Sequence, residues 1–125
     1  LGGPEDKERA AEIAHAAGIH VFNGCGRFKL DESAFLISKA RKVVTHDTGL
    51  MHIAAAFNKP IVSIWGNTVP ELGMYPYKTD YSKIIEVKDL SCRPCSKIGF
   101  NSCPKGHFKC MNLIDLNDII IESNA

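Results

Sequence analysis

The stretch from Val43 to Trp65 constrains the fold more than any other part of this chain. An apolar β-branched run, Val43-Val44-Thr45, leads through the polar turn His46-Asp47-Thr48-Gly49 into the Ala-rich segment Leu50 to Phe57. Asn58-Lys59-Pro60 then breaks the helical pattern before a second apolar run, Ile61 to Trp65. Two strands joined by a helix cannot form a tight hairpin, so the pattern predicts a parallel pair with a right-handed crossover. Ala54, Ala55 and Ala56 keep the helix slim enough to pack closely on a sheet.

The turn inside this unit has its own chemistry. A strand that ends in a small polar turn and opens a helix presents free backbone N–H groups to an anion, and a phosphate suits such a place. Asp47 and Thr48 have the right side chains to cap the helix and to point oxygens at a ligand. Gly49 permits close backbone approach, and His52 falls on the same face of the first turn. The same residues read equally well as an ordinary structural cap, because many α/β units begin a helix with Asp or Thr.

The rest of the chain continues the alternation. Glu5 to Ala17 reads as a helix, with Pro4 near its start, acids in its first turn and Gly18 just past its end. Ile19 to Phe22 reads as a short buried strand, Asn23-Gly24-Cys25-Gly26 as a turn, and Asp31 to Arg41 as a helix with Asp31 as its cap. Beyond Gly66, the residues Pro70, Gly73 and Pro76 mark a loop, and Ile84 to Val87 suits one more strand. Leu116 to Glu122 follows a plausible cap at Asp115, although Ile119-Ile120-Ile121 fits a strand as well. Open parallel sheets bind ligands beyond the carboxyl ends of their strands. That rule collects Gly2-Gly3, Gly24 to Phe28, Asp47 to His52 and Gly66 to Thr68 along one edge.

With 125 residues, 45% of them hydrophobic, the chain suits a single domain with a substantial core. A net charge of +1 argues against a general nucleic-acid binder. No apolar run approaches the roughly 20 residues that span a bilayer, and the start lacks a basic region followed by an apolar one. A soluble, cytoplasmic chain is expected.

Four of the five cysteines form the series Cys92-x2-Cys95-x7-Cys103-x6-Cys110. In a reducing compartment such a set suggests a structural Zn²⁺ held by thiolates, and the first pair has the usual knuckle spacing; the second pair does not. Reduced or partly disulfide-linked thiols that pack a loop are the other reading. Arg93, Lys97, Lys105, His107 and Lys109 accompany these cysteines without an intervening acid, which would offset thiolate charge or meet an anionic acceptor. Cys25, between Gly24 and Gly26, reads as a small filler.

Several of these segments together resemble a known family. Asp-Thr-Gly-Leu-Met-His-Ile-Ala-Ala-Ala from Asp47, Leu30 to Ile37 before it and Pro60 to Thr68 after it are similar to the C-terminal half of the ADP-heptose:lipopolysaccharide heptosyltransferases, glycosyltransferase family 9. The opening Leu1-Gly2-Gly3-Pro4-Glu5-Asp6 and the late Cys92-Arg93-Pro94-Cys95, Cys103-Pro104-Lys105-Gly106-His107 and Cys110-Met111 share the likeness. The resemblance implies a Rossmann-like α/β domain, a three-layer parallel sheet forming the C-terminal half of a GT-B glycosyltransferase. Residues 1–125 would be the ADP-heptose-binding domain, with a Cys-rich loop at 92–110 and the N-terminal acceptor domain outside this chain.

The resemblance also implies roles. Thr48, Gly49 and His52 would bind the donor diphosphate, and Asp47 the polar groups of the sugar–diphosphate region, with His52 and Asp47 stabilising the donor or the transition state. Asp6 would meet the ribose and Phe28 would line the adenine pocket; read from the residues alone, Asp6 is equally a dipole-favouring acid and Phe28 a core aromatic. The general base would come from the absent domain and no metal would be required. The partners implied are ADP-heptose and the lipopolysaccharide inner core, at the cytoplasmic face of the inner membrane. Two alternatives from other classes stand beside this reading: a non-catalytic nucleotide-binding module, and a zinc-stabilised interaction domain built on Cys92, Cys95, Cys103 and Cys110.

Overall fold

The computed structural model describes residues 1–124. The chain forms two compact units, Leu1–Leu36 and Ile37–Ala125.

The first unit opens with a 3-10 turn at Pro4–Asp6 that runs into helix α1, Lys7–Ala17. Gly18 ends α1 at a φ of +88°, a conformation that costs a glycine little, and its N–H donates to the Ala14 carbonyl. The expected strand at Ile19 to Phe22 is not formed. An extended segment becomes a strand when a neighbour accepts its ladder, and this one has no such partner among the described residues. Its backbone turns instead, with Val21 N–H donating to the Gly18 carbonyl, and Ile19 is 95% exposed. The glycine turn that follows is closely packed. A Cβ at Gly26, whose φ is +66°, would lie 2.9 Å from Pro4 Cα, and one at Gly24 would lie 3.0 Å from the Phe28 ring.

Helix α2 spans Leu30–Lys39. Its cap differs from expectation. Lys29 stands at the cap position and its N–H donates to Glu32 Oε2 at 2.7 Å, so Glu32 reaches back to the helix start while Asp31 lies in the first turn.

In the second unit, strands β1 (Val43–His46), β2 (Ile61–Trp65) and β3 (Ser82–Glu86) form one parallel sheet in that order. Helix α3, Gly49–Ala56, makes the first crossover; residues 66–81, with a 3-10 turn at Pro70–Leu72, make the second. The short α4, Lys109–Asn112, precedes α5, Leu116–Asn124. The triple isoleucine thus lies in a helix, capped by Asp115, whose Oδ1 accepts the Asn117 N–H at 2.8 Å.

The sheet is covered on both faces. Met51, Ala54 and Ala55 of α3 pack with Ile37, Ile61 and Trp65. Alternation along β2 puts Val62 on the opposite face, in register with Lys83. Lys83 pairs with Glu122 of α5 at 3.3 Å, so α5 covers that second face. Helix, sheet and helix are the three layers expected, and central β2 is accordingly the most buried strand. The Trp65 indole N–H donates to Ser63 Oγ at 2.9 Å, and both residues are fully buried. At the other end of the sheet, Asn58 and Asp80 exchange two hydrogen bonds, 2.6 and 2.9 Å, that tie the α3–β2 turn to the approach to β3.

Candidate functional site

Because all three strands are parallel, the turns after His46, Trp65 and Glu86 share the carboxyl edge of the sheet. The turn after β1 is Asp47-Thr48, and α3 starts at Gly49. Thr48 occupies the cap position in an extended conformation, but its side chain makes no capping bond, nor does that of Asp47. The sequence expectation that these oxygens cap the helix is therefore corrected. Thr48 Oγ1 lies 3.4 Å from Thr45 Oγ1, and Asp47 Oδ2 accepts the Thr68 hydroxyl at 3.1 Å. The first amide of α3 with an acceptor is that of Met51, which donates to the Thr48 carbonyl. The N–H groups of Gly49 and Leu50 have no acceptor among the described residues.

Asp47 Oδ1 makes no hydrogen bond among the described residues, and neither does the imidazole of the exposed His52. A Cβ at Gly49 would meet nothing within 4 Å, and Gly49 has an ordinary negative φ. Packing within the chain therefore does not explain the glycine. Two free amides, a half-free carboxylate and an exposed imidazole thus lie within one strand–turn–helix segment, with open space at Gly49; these are the group types that suit a phosphate-bearing ligand with hydroxyl donors.

The turn after β2 was legible as a glycine turn, but its partners were not. Arg93 is the residue that the sequence undervalued, as one basic companion of the cysteines. Its guanidinium donates to the carbonyls of Gly66 (2.6 Å), Thr68 (3.0 Å) and Val87 and to Glu86 Oε2 (2.9 Å). Arg93 and Glu86 form a largely buried ion pair, their side chains 5% and 12% exposed.

The remaining predicted residues belong to the first unit. Asp6 is exposed and its Oδ2 accepts the Gly3 N–H at 3.1 Å, so one oxygen serves the start of the helix. Phe28 is partly exposed, tilted against Phe22 at a centroid distance of 6.4 Å, and borders an open groove of about 310 Å³ with Asp31, Glu32, Phe35 and Leu36.

All five cysteines are free thiols. Among the described residues no group of three or more His, Cys, Asp or Glu side chains is arranged to hold a metal ion, so the zinc reading of Cys92, Cys95, Cys103 and Cys110 is set aside. The thiols instead occupy contrasting surroundings. Cys103 Sγ accepts the Phe108 N–H at 3.4 Å, and this amide, with those of Lys105, His107 and Gly106, holds its pKa below the usual thiol value. Burial, reinforced by nearby Cys95, pushes Cys110 up. No helix among the described residues is long and apolar enough to cross a membrane.

Solved structures place this architecture among glycosyltransferases. The chain superposes on a glycosyltransferase family 9 structure from Veillonella parvula with a TM-score of 0.80 at 24% identity, over 98% of this chain and 34% of that one. For the Escherichia coli ADP-heptose LPS heptosyltransferase II, the TM-score is 0.59 at 27% identity, over 99% of this chain and 36% of the other. A sequence model of glycosyltransferase family 9 (heptosyltransferase) matches residues 1–103, and the chain belongs to that family. It is 36% identical over 75 residues to lipopolysaccharide heptosyltransferase 2 of E. coli K12, covering 57% of this chain and 22% of that protein. With lipooligosaccharide heptosyltransferase 2 of Campylobacter jejuni the identity is 29% over 100 residues, covering 80% of this chain and 30% of the relative. The chain thus spans about a fifth to a third of the relatives it matches.

Proposed function

We propose that this chain is the nucleotide-sugar-binding half of a two-domain GT-B heptosyltransferase, and that the whole protein moves heptose from ADP-heptose to the lipopolysaccharide inner core. The observation that carries this reading is the β1–α3 turn, where unpartnered amides, one free oxygen of Asp47 and the exposed His52 ring lie within one segment, with open space at Gly49. Family membership and the coverage of only part of each relative support it.

As the bond between the sugar's C1 and the diphosphate oxygen breaks, negative charge grows on the leaving diphosphate. The amides of Gly49 and Leu50 are held by the helix start before that charge appears, so they stabilise the transition state more than the ground state, and the Thr48 hydroxyl and His52 add donors beside them. Asp47 accepts from hydroxyls of the sugar region and orients the reacting carbon. The oxygen of Asp6 not used by Gly3 takes the ribose hydroxyls, and Phe28 walls the adenine. The general base that deprotonates the acceptor belongs to the N-terminal acceptor domain. Asp47, turned toward the diphosphate, is poorly placed to do so. The enzyme works in the cytoplasm, at the inner-membrane face that carries its acceptor.

Titration calorimetry of this chain with ADP tests the reading. We expect a dissociation constant no tighter than roughly micromolar, because one wall of a cleft leaves much of the nucleotide exposed, and no sugar transfer by the chain alone. Absence of ADP binding by the folded chain would refute the donor site. Heptose transfer by these 125 residues alone would refute the assignment of the base to another domain.

A further inference from the structure

The cysteine-rich segment has no part in the chemistry proposed above, yet it touches the donor turn through a continuous set of hydrogen bonds. Arg93, at its start, fixes the carbonyls of Gly66 and Thr68 and is itself anchored on Glu86 and the Val87 carbonyl at the end of β3. Farther along, the Cys95 N–H donates to the Asn67 carbonyl at 3.0 Å, and Asn67 Nδ2 donates to the Phe100 carbonyl at 2.8 Å. All three residues of the turn after β2 are therefore held from one side by residues 93–100. On its other side the turn makes one side-chain bond among the described residues, from the buried Thr68 hydroxyl to Asp47 Oδ2 at 3.1 Å.

We propose that Thr68 and Arg93 are positioning residues for Asp47, with the Cys-rich segment as their scaffold. A carboxylate on a strand-end turn can rotate about two side-chain torsions. A hydroxyl donor on a fixed backbone selects one orientation, occupying Oδ2 and presenting Oδ1 to the ligand. Thr68 can do this because its backbone is itself fixed: the guanidinium that binds its carbonyl is buried, charge-paired and shared with Gly66 and Glu86. Preorganisation of this kind raises affinity by removing an ordering cost that the ligand would otherwise meet. In this proposal both act on the donor through Asp47 and not by direct contact. The proposal rests on Asp47 being a donor ligand, so its test must separate the two claims.

The experiment is ADP titration of the full-length protein as wild type, T68V, T68S, D47A, R93K and the doubles D47A/T68V and D47A/R93K, with thermal melts of each. T68V keeps the shape and removes the donor; it should weaken ADP about threefold to tenfold. T68S restores the hydroxyl and should return affinity to near wild type. R93K should weaken ADP as T68V does. In the D47A background neither T68V nor R93K should cost anything further, because the group they position is gone. If D47A leaves ADP affinity unchanged, the donor-site reading fails and this proposal with it. If D47A weakens binding while T68V does not, or if the losses in the doubles simply add, Asp47 stands as a ligand and the positioning role is refuted. Lowered melting temperatures with wild-type ADP affinity for T68V and R93K would show a purely structural brace, and would equally overturn the proposal.

Discussion

Replacing Ser63 by alanine probes whether the core under the candidate site is held by a specific polar contact as well as by apolar burial. The Trp65 indole N–H points at Ser63 Oγ at 2.9 Å, and both residues are fully buried. Ser63 also donates to the Lys83 carbonyl, at a long 3.4 Å. Removing the hydroxyl leaves the indole N–H without an acceptor where water does not reach, which costs about 1–3 kcal/mol. For a chain of this length the unfolding entropy converts each kcal/mol into about 4 °C, so the melting temperature should fall by about 4–12 °C. Trp65→Phe should also destabilise, through the smaller ring and the loss of the donor. The double variant S63A/W65F then has no orphaned donor. It should be more stable than the sum of the single losses predicts, by about 0.5 kcal/mol or more. Trp65 is the sole tryptophan, so circular dichroism under denaturant, which serves all four proteins, is the proper probe. An S63A loss below about 0.5 kcal/mol, or a strictly additive cycle, would refute the reasoning.

Asp47→Ala and His52→Ala should each weaken ADP binding by about 1–3 kcal/mol in calorimetry while leaving the fold intact; unchanged affinity in both would remove the site. ADP should compete for the site better than pyrophosphate, with Asp6→Ala narrowing the difference; equal competition before mutation would mean that the phosphate turn binds alone. Iodoacetamide near neutral pH should modify Cys103 faster than buried Cys110, since amide donors lower the first thiol's pKa and burial raises the second's, and peptide mapping that finds the reverse order counts against the described loop. The hydrogen bond from Tyr81, then Lys83, holds the Glu122 carboxyl below the usual range. The stability it contributes is therefore present above the ordinary carboxylate pKa and lost as pH falls through the lowered value. Glu122→Gln should flatten this acid limb in melts taken across pH, and an unchanged limb would exclude the contact as its source.

The sequence by itself determined the elements whose signals are local. Val43 to Trp65 could be read as strand, polar turn, slim helix and strand because β-branched runs, Ala spacing and Asn58-Lys59-Pro60 act through the backbone of their own neighbourhood. Parallel pairing followed from the helical connection, and the β1–α3 turn was recognisable as a candidate anion site from residue types alone. Tertiary structure decided what depends on partners distant in the chain. Ile19 to Phe22 has the composition of a strand, but a strand exists through its ladder, and this segment has none among the described residues. Ile119-Ile120-Ile121 fits helix or strand, and packing on β2 and β3 settled it as helix α5. Arg93 looked like a companion of the cysteines because nothing in its neighbours announces that Gly66, Thr68, Glu86 and Val87 will gather around it. The cap of α3 shows the same limit. Asp47 has the chemistry to cap its own helix, but Thr68, 21 positions away, holds one of its oxygens instead, a choice made by the meeting of two strand ends.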